Sequence, residues 1–292
     1  MNGTVPPVTA HSIAWSGGLL QAPVQWRYVD FISDLHLQDG DSATFRVWQD
    51  YMRNTRADAV FILGDLFELW VGDDMLGGGG PNGITVAPEP AAGLAARCAQ
   101  VLETAARRLT IFFMHGNRDF LLGPAYAKAS GMTLIDDPCV LEFAGQRWLL
   151  SHGDALCLAD TDYMQFRTHV RSARWRQEFL ARPLSERLEM GRALRQQSEA
   201  RKSKGLASGM ALVDLDTELV CDWLRTARAG TLIHGHTHKP AEHDLENGLR
   251  RIVLSDWDAS ATPARASVLR LSAVSQNQVA GASVERIAAA LA

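Results

Sequence analysis

One pattern of apolar and polar positions recurs along the chain: a short hydrophobic run that stops abruptly in histidine, aspartate, asparagine and glycine. Thr110 to Met114 reads as a strand buried on both faces, and it runs into His115-Gly116-Asn117-Arg118-Asp119. Tyr28 to Ser33 leads in the same way into Asp34-Leu35-His36-Leu37, and Ala59 to Leu63 into Gly64-Asp65. Arg147 to Ser151 runs into His152-Gly153-Asp154, and Thr231 to His234 into Gly235-His236-Thr237-His238. Between these runs the spacing predicts helices over Ser42–Arg56, Ala91–Arg108, Pro124–Ser130 (stopped by Gly131) and Val213–Arg228. Strands alternating with helices predict an α/β fold, in which strand-end loops carry the ligands. Arg251–Leu254 and Ala266–Leu271 are β-rich and are expected to complete a second sheet.

The remaining segments lack this grammar. Residues 1–26 are rich in Pro, Gly and small polar residues and read as a loose N-terminal extension. Gly77 to Gly83 reads as a surface loop, and the tail over 272–292 as weakly helical. Asp160 to Gly205 changes character. It is helical and carries Arg167, Arg171, Arg174, Arg176, Arg182, Arg187, Arg192, Arg195 and Arg201 interleaved with Phe166, Trp175, Phe179 and Leu180. Such an insertion reads as a cap over the site, a membrane-surface contact, or both; the alternative is a solvated helical hairpin.

Composition narrows the function classes. With 292 residues and 47% hydrophobic content the chain can bury a large core, and a net charge of −4 gives no general reason to expect nucleic acid. Cys98, Cys139, Cys157 and Cys221 form no C-x-x-C pair, which fits free thiols in a reducing cytosol. Neither a signal peptide nor an apolar run long enough to span a bilayer is read, so any membrane contact is expected to be peripheral.

The strand ends supply Asp34, His36, Asp65, Asn117, His152, His236 and His238. Seven carboxylate, imidazole and amide donors are too many for one ion and suit two ions about 3.5–4 Å apart, with Asp65 as the natural bridge. The absence of thiolate leaves Mn, Fe, Co and Zn open. A single histidine is usually a hydrogen-bonded structural residue, and His115 and His234 are read so. Five such motifs at five strand ends are not explained that way.

The order D-x-H, G-D, G-N-x-D, H-G-D, G-H-x-H resembles the calcineurin-like metallophosphoesterases. Within that superfamily, DLHL, GDLFELWVGDD, HGNRDFLLG, HGDALC and HGHTHKPA resemble the UDP-2,3-diacylglucosamine pyrophosphohydrolase family of lipid A biosynthesis, over roughly Tyr28 to Leu271. Arg118 stands where most of the superfamily has histidine, and RALRQQSEARKSK resembles the narrower family's lid. The resemblance implies a β-sandwich flanked by helices in αββα layers, spanning 27–271 with a lid insertion about 158–209. It also implies hydrolysis of UDP-2,3-diacylglucosamine to UMP and 2,3-diacylglucosamine 1-phosphate, with two divalent ions, manganese by expectation. Asp65, Asn117, Arg118 and His236 are the expected catalytic group, Arg118 offering a fork of donors to a phosphoryl oxygen. Asp119 is expected to orient His152 or Arg118. Asn117, Arg118, His236, Asp160, Ser198, Lys202 and Lys204 are the expected substrate contacts.

The implied location is cytoplasmic, peripheral on the inner membrane, with no obligate protein partner. Two other readings carry weight: the same chemistry on a soluble nucleotide or other phosphodiester, and a non-catalytic scaffold. The scaffold reading predicts a broken donor set, whereas all seven positions are filled. A nuclease reading lacks a basic groove outside the insertion.

Overall fold

The computed structural model describes residues 17–77, 89–207, 213–276 and 279–289. In chain order its strands are β1 (Gly18–Gln21), β2 (Tyr28–Ile32), β3 (Ala59–Leu63), β4 (Thr110–Met114), β5 (Thr133–Ile135), β6 (Cys139–Phe143), β7 (Gln146–Ser151), β8 (Thr231–His234), β9 (Ala241–Asp244), β10 (Arg250–Val253), β11 (Ser267–Gln276) and β12 (Val279–Ala288). Its α-helices are α1 (Ser42–Asn54), α2 (Glu89–Ala106), α3 (Pro124–Ser130), α4 (Thr161–Val170), α5 (Ala173–Leu180), α6 (Leu184–Ala207) and α7 (Thr217–Ala227). One sheet runs β12-β11-β2-β3-β4-β5 and the other β1-β6-β7-β8-β10-β9.

Alternation along the central strands builds three apolar layers, because successive side chains of a strand point to opposite faces. Ala59, Phe61 and Leu63 of β3 face the second sheet, where they join Leu141, Trp148, Leu150 and Ile233 in the core between the sheets. Val60 and Ile62 face the other way, into a cluster with Trp48 and Met52 of α1 and Cys98 and Leu102 of α2. Val140, Leu149 and Leu232 of the second sheet meet Val220 and Leu224 of α7. The layers are therefore α, β, β, α, as the resemblance implies.

Several expectations need correction. Gly18–Gln21 is not loose: β1 pairs in parallel with β6, and Ala22 N–H donates to Glu142 O at 2.9 Å. Four residues are too few to show a period, and only the open edge of β6 reveals the partner. Residues 1–16 lie outside the described residues. The tail is not helical among the described residues, since β11 extends to Gln276 and pairs antiparallel with β12 through Ala288. Its alanines favour a helix locally, but Ala282 and Val284 pack on the inter-sheet core, and that tertiary gain decides. The two late β-rich segments also divide: β10 joins the second sheet while β11 pairs antiparallel with β2 in the first. The helix expected from Val213 begins at Thr217, where Asp216 caps it by accepting from Leu219 N–H at 2.8 Å. Residues 78–83 of the expected surface loop lie outside the described residues.

The arginine-rich insertion resolves into α4, α5 and α6, broken at the Ser172 cap and at Pro183. It is not a solvated hairpin. Phe179, Leu184 and Leu188 are buried in the helix-side core, and Arg187, 2% exposed, donates to Val71 O at 2.5 Å and pairs with Asp74.

Candidate metal centre and active site

The expected donors stand just beyond the carboxyl ends of β2, β3, β4, β7 and β8, where adjacent strands bring their loops to one rim. Backbone bonds lace these loops together: Asp34 N–H donates to Gly64 O, His36 N–H to Asp65 O, and Gly235 N–H to His152 O, at 3.1, 3.0 and 3.0 Å. The backbone itself is strained here. Asp34, His36, Asp65, His236 and His238 all have φ between 48° and 67°, a region that side-chain-bearing residues rarely occupy. Such strain persists where the surroundings over-determine it, and it concentrates at functional sites. Gly116 is required for contact, since a Cβ there would overlap Asp65 Oδ1 and its backbone nitrogen. At Gly64 a Cβ would sit 2.5 Å from His152 Nδ1.

All seven predicted donors come together, in two groups. His238 Nε2 lies 3.1 Å from Asp34 Oδ1 and 3.2 Å from His36 Nε2. Asn117 Oδ1 lies 2.9 Å from His236 Nδ1 and 3.1 Å from His152 Nε2. Between them, Asp65 Oδ2 is 3.9 Å from His36 Nε2 and 3.8 Å from His152 Nε2. Asp34 also reaches the second group, since its carboxylate, that of Asp65 and the His152 ring converge within 4.8 Å. Outer partners aim the rings. His152 Nδ1 is 2.8 Å from Leu63 O, which leaves Nε2 directed at the centre, and Ser33 Oγ donates to Asp34 Oδ2 at 2.6 Å.

Charge tests whether cations fit. Burial opposes ionisation of Asp34, yet the hydrogen bond from His238 and the surrounding imidazoles hold its carboxyl far below the usual range. Burial likewise opposes protonation of His152, but Asp65, Asp34 and Asp154 push its pKa up to about 9. His36 is raised against its own burial by Glu68, Asp65 and Asp34. Fully or nearly buried carboxylates that raise the proton affinity of neighbouring imidazoles form a site short of positive charge. Oxygen and nitrogen donors in that balance fit divalent cations.

Other residues take places the sequence did not assign. Asp119 does not orient His152 or Arg118; its buried carboxylate accepts from the backbone N–H groups of Leu66 (2.7 Å), Gly116 (2.9 Å) and Asp65 (3.3 Å), clamping two strand-end loops together. Burial and the charge of Asp65 push its pKa up to about 7. Asp154 is a buried hub that receives Tyr163 Oη–H at 2.5 Å, Arg167 Nε at 2.8 Å and Arg171 Nη2 at 3.3 Å. Tyr163 also stacks over the His236 ring, with centroids 6.1 Å apart. Glu68 pairs with His36, Arg118 and Arg195. The H-G-D and G-D-L-F-E motifs contain these acids, but the partners of Asp154 and one partner of Glu68, Arg195, come from the insertion, which no local pattern reveals.

Of the expected substrate contacts, Arg118 and His236 stand at the centre, Asp160 is exposed and caps α4 by accepting from Tyr163 N–H at 3.1 Å, and Ser198 is half-buried on α6. The side chains of Lys202 and Lys204 lie outside the described residues. His115 and His234 bond main-chain carbonyls instead, Leu122 O at 2.6 Å and Gly235 O at 2.8 Å. A cavity of about 750 Å³ opens beside the centre, lined by His36, Glu68, Arg118 and His238 on one wall and by Asp256, Asp258 and Arg265 on another.

Residues 28–240 match the calcineurin-like phosphoesterase family, and the chain belongs to it. A UDP-2,3-diacylglucosamine hydrolase of Chromohalobacter salexigens is 41% identical over 236 residues, covering 77% of this chain and 87% of the relative. Proteins of the same description from Chromobacterium violaceum and Cellvibrio japonicus are 43% and 40% identical, over 78% and 80% of this chain and 90% and 95% of their own lengths. The chain is thus similar to UDP-2,3-diacylglucosamine hydrolases over most of their length.

Proposed function

We propose that this chain hydrolyses the pyrophosphate bond of UDP-2,3-diacylglucosamine to UMP and 2,3-diacylglucosamine 1-phosphate. The observation that carries the reading is the pair of donor groups with Asp65 between them, beside Arg118 and beneath an arginine-bearing insertion. One water is consumed: its oxygen bonds a phosphorus, the bridging P–O bond breaks, and two phosphate monoesters leave. Asp34, His36 and His238 would hold one divalent cation and Asn117, His152 and His236 a second, with Asp65 shared. When bound, such cations supply Lewis-acid charge neutralisation and lower the pKa of water.

The protein's own groups do the rest. Arg118 directs a fork of donors at a phosphoryl oxygen as charge builds. His236, set by the Tyr163 ring and by its N–H bond to Asp34 Oδ2 at 2.9 Å, faces the reacting phosphate from the insertion side. Phe166, Leu180 and Leu194 are large apolar side chains of the insertion that stay exposed, and they suit an acylated substrate. We take manganese as the ion, Asp160, Ser198, Lys202 and Lys204 as lid contacts, and the cytoplasmic membrane face as the working location, reached without a spanning segment. No described helix is long and apolar enough to cross a membrane.

The test compares the acylated substrate in detergent with bis-p-nitrophenyl phosphate, both with manganese. The reading expects UMP release with kcat/KM at least about 100-fold above that for the small diester. Equal rates on both, indifferent to acyl chains, would leave a general phosphodiesterase and remove the lipid substrate.

A further inference from the structure

Glu68 lies three residues past Asp65 and is 7% exposed. Its two oxygens face different partners. Oε2 is 2.8 Å from His36 Nδ1, while Oε1 is 2.7 Å from Arg195 Nε of α6 and 3.7 Å from Arg118 Nη1 of the G-N-R-D loop. Its own N–H donates to Leu37 O at 3.1 Å, so the main chain beneath it is tied to the loop that carries His36.

Each contact has a physical consequence. A carboxylate oxygen 2.8 Å from Nδ1 favours a proton on that nitrogen, and the Nε2 lone pair is then left to face Asp34 and His238. The second consequence concerns repulsion. Arg118 and Arg195 come from segments far apart in sequence, and two guanidinium groups placed near one another repel unless an anion lies between them. A low-dielectric site strengthens both effects, and a neutral side chain of the same shape could reproduce only the first.

We propose that Glu68 is a positioning residue with two separable tasks: one oxygen sets the His36 ring for cation binding, and the other gathers Arg118 and the insertion's Arg195 beside the centre. The second task rests on the proposed reaction, in which those arginines meet the substrate's phosphates; the first does not. Glu68 thereby joins the insertion to the donor set through a single side chain.

Two near-isosteric variants of the full chain separate the tasks. Glu68→Gln keeps an oxygen for His36 Nδ1–H but loses the charge that gathers the arginines. Glu68→Met keeps the length and apolar stem and loses both. Titration calorimetry with MnCl2 on metal-free protein reads the first task. E68Q is expected to bind manganese within about threefold of wild type, and E68M about 10- to 100-fold more weakly. Steady-state kinetics on UDP-2,3-diacylglucosamine read the second, with KM in E68Q raised about tenfold or more and kcat changed less.

A merely structural residue would instead lower thermal stability in E68Q and leave KM in place. Unchanged KM in E68Q, or manganese affinity in folded E68M equal to wild type, overturns the assignment. The E68Q result decides alone if E68M does not fold. If wild type releases no UMP, the proposed reaction fails, and the calorimetry still decides the His36 task.

Discussion

Asp65 and Gly116 illustrate how tightly the centre is drawn. Asp65 holds a left-handed backbone while its Oδ1 accepts from Arg118 N–H at 2.8 Å, and the opposing loop passes so close that only hydrogen fits at residue 116. Gly116→Ala must therefore shift the Asp65 carboxylate or the G-N-R-D loop. Misplacement of a reacting group by about 1 Å can cost about 100-fold in rate. We expect a loss of that order in kcat for G116A with an unchanged circular dichroism spectrum; activity within twofold of wild type would show that the contact has slack. The donors were legible at this scale because aspartate, histidine and asparagine are unusual directly after apolar runs. Glu68, Asp119 and Asp154 were not, since a carboxylate in a loop has no meaning until its partners are known. Asp119 was expected to face a side chain and instead faces four backbone N–H groups.

At the scale of elements, the insertion is anchored by a few charged groups as well as by apolar packing. Arg187 of α6 is nearly buried between Val71 O and Asp74, and Gly191 one turn on lets the helix approach Leu69 and Val71. Removing one partner of a buried ion pair leaves the other uncompensated, at a cost of about 3 kcal/mol. Arg187→Ala is expected to lower unfolding free energy by that amount in urea and to speed amide hydrogen exchange along α5 and α6. Exchange raised evenly across both sheets would mean that Arg187 supports the whole body, not the insertion. The strands ending in site loops were legible from their apolar runs. β1, β5, β9 and β12 were not, because three or four residues carry no period and an alanine-rich edge strand reads locally as helix. Their pairing partners are distant in sequence, and that information is tertiary.

The whole molecule is closed by long-range polar links as well as by its three apolar layers. Arg270 of β11 donates from Nε and Nη2 to Asp30 of β2 at 2.7 and 2.8 Å, and Tyr51 and Thr55 donate to the same carboxylate from α1 and its cap at 2.9 and 2.8 Å. Arg270→Met should cost about 3 kcal/mol by stranding Asp30, while the double change with Asp30→Asn should recover part of it. Additive losses in the double variant would contradict the pairing.

A second link titrates. Arg251 holds the pKa of Asp214 down to about 2, against a reference value of 3.8. The stabilisation is present above the reference value and is lost as pH falls through the folded one, so Asp214→Asn should flatten the stability profile between pH 4 and 2. Asp214 is 47% exposed, and solvent keeps the effect small. An unchanged slope in acid denaturation would assign that acid sensitivity to other carboxylates.

Asp65 is proposed to unite two cation sites into one hydrolytic centre for a lipid-linked sugar nucleotide. This role is tested most directly by UMP release from UDP-2,3-diacylglucosamine in detergent with manganese, comparing wild type with Asp65→Ala while counting bound ions by mass spectrometry of the metal. The expected result is UMP from wild type carrying two ions, and a loss of at least about 1000-fold in the variant together with a fall in ion count. An Asp65→Ala protein that still released UMP at the wild-type rate, or still held both ions with equal affinity, would contradict it.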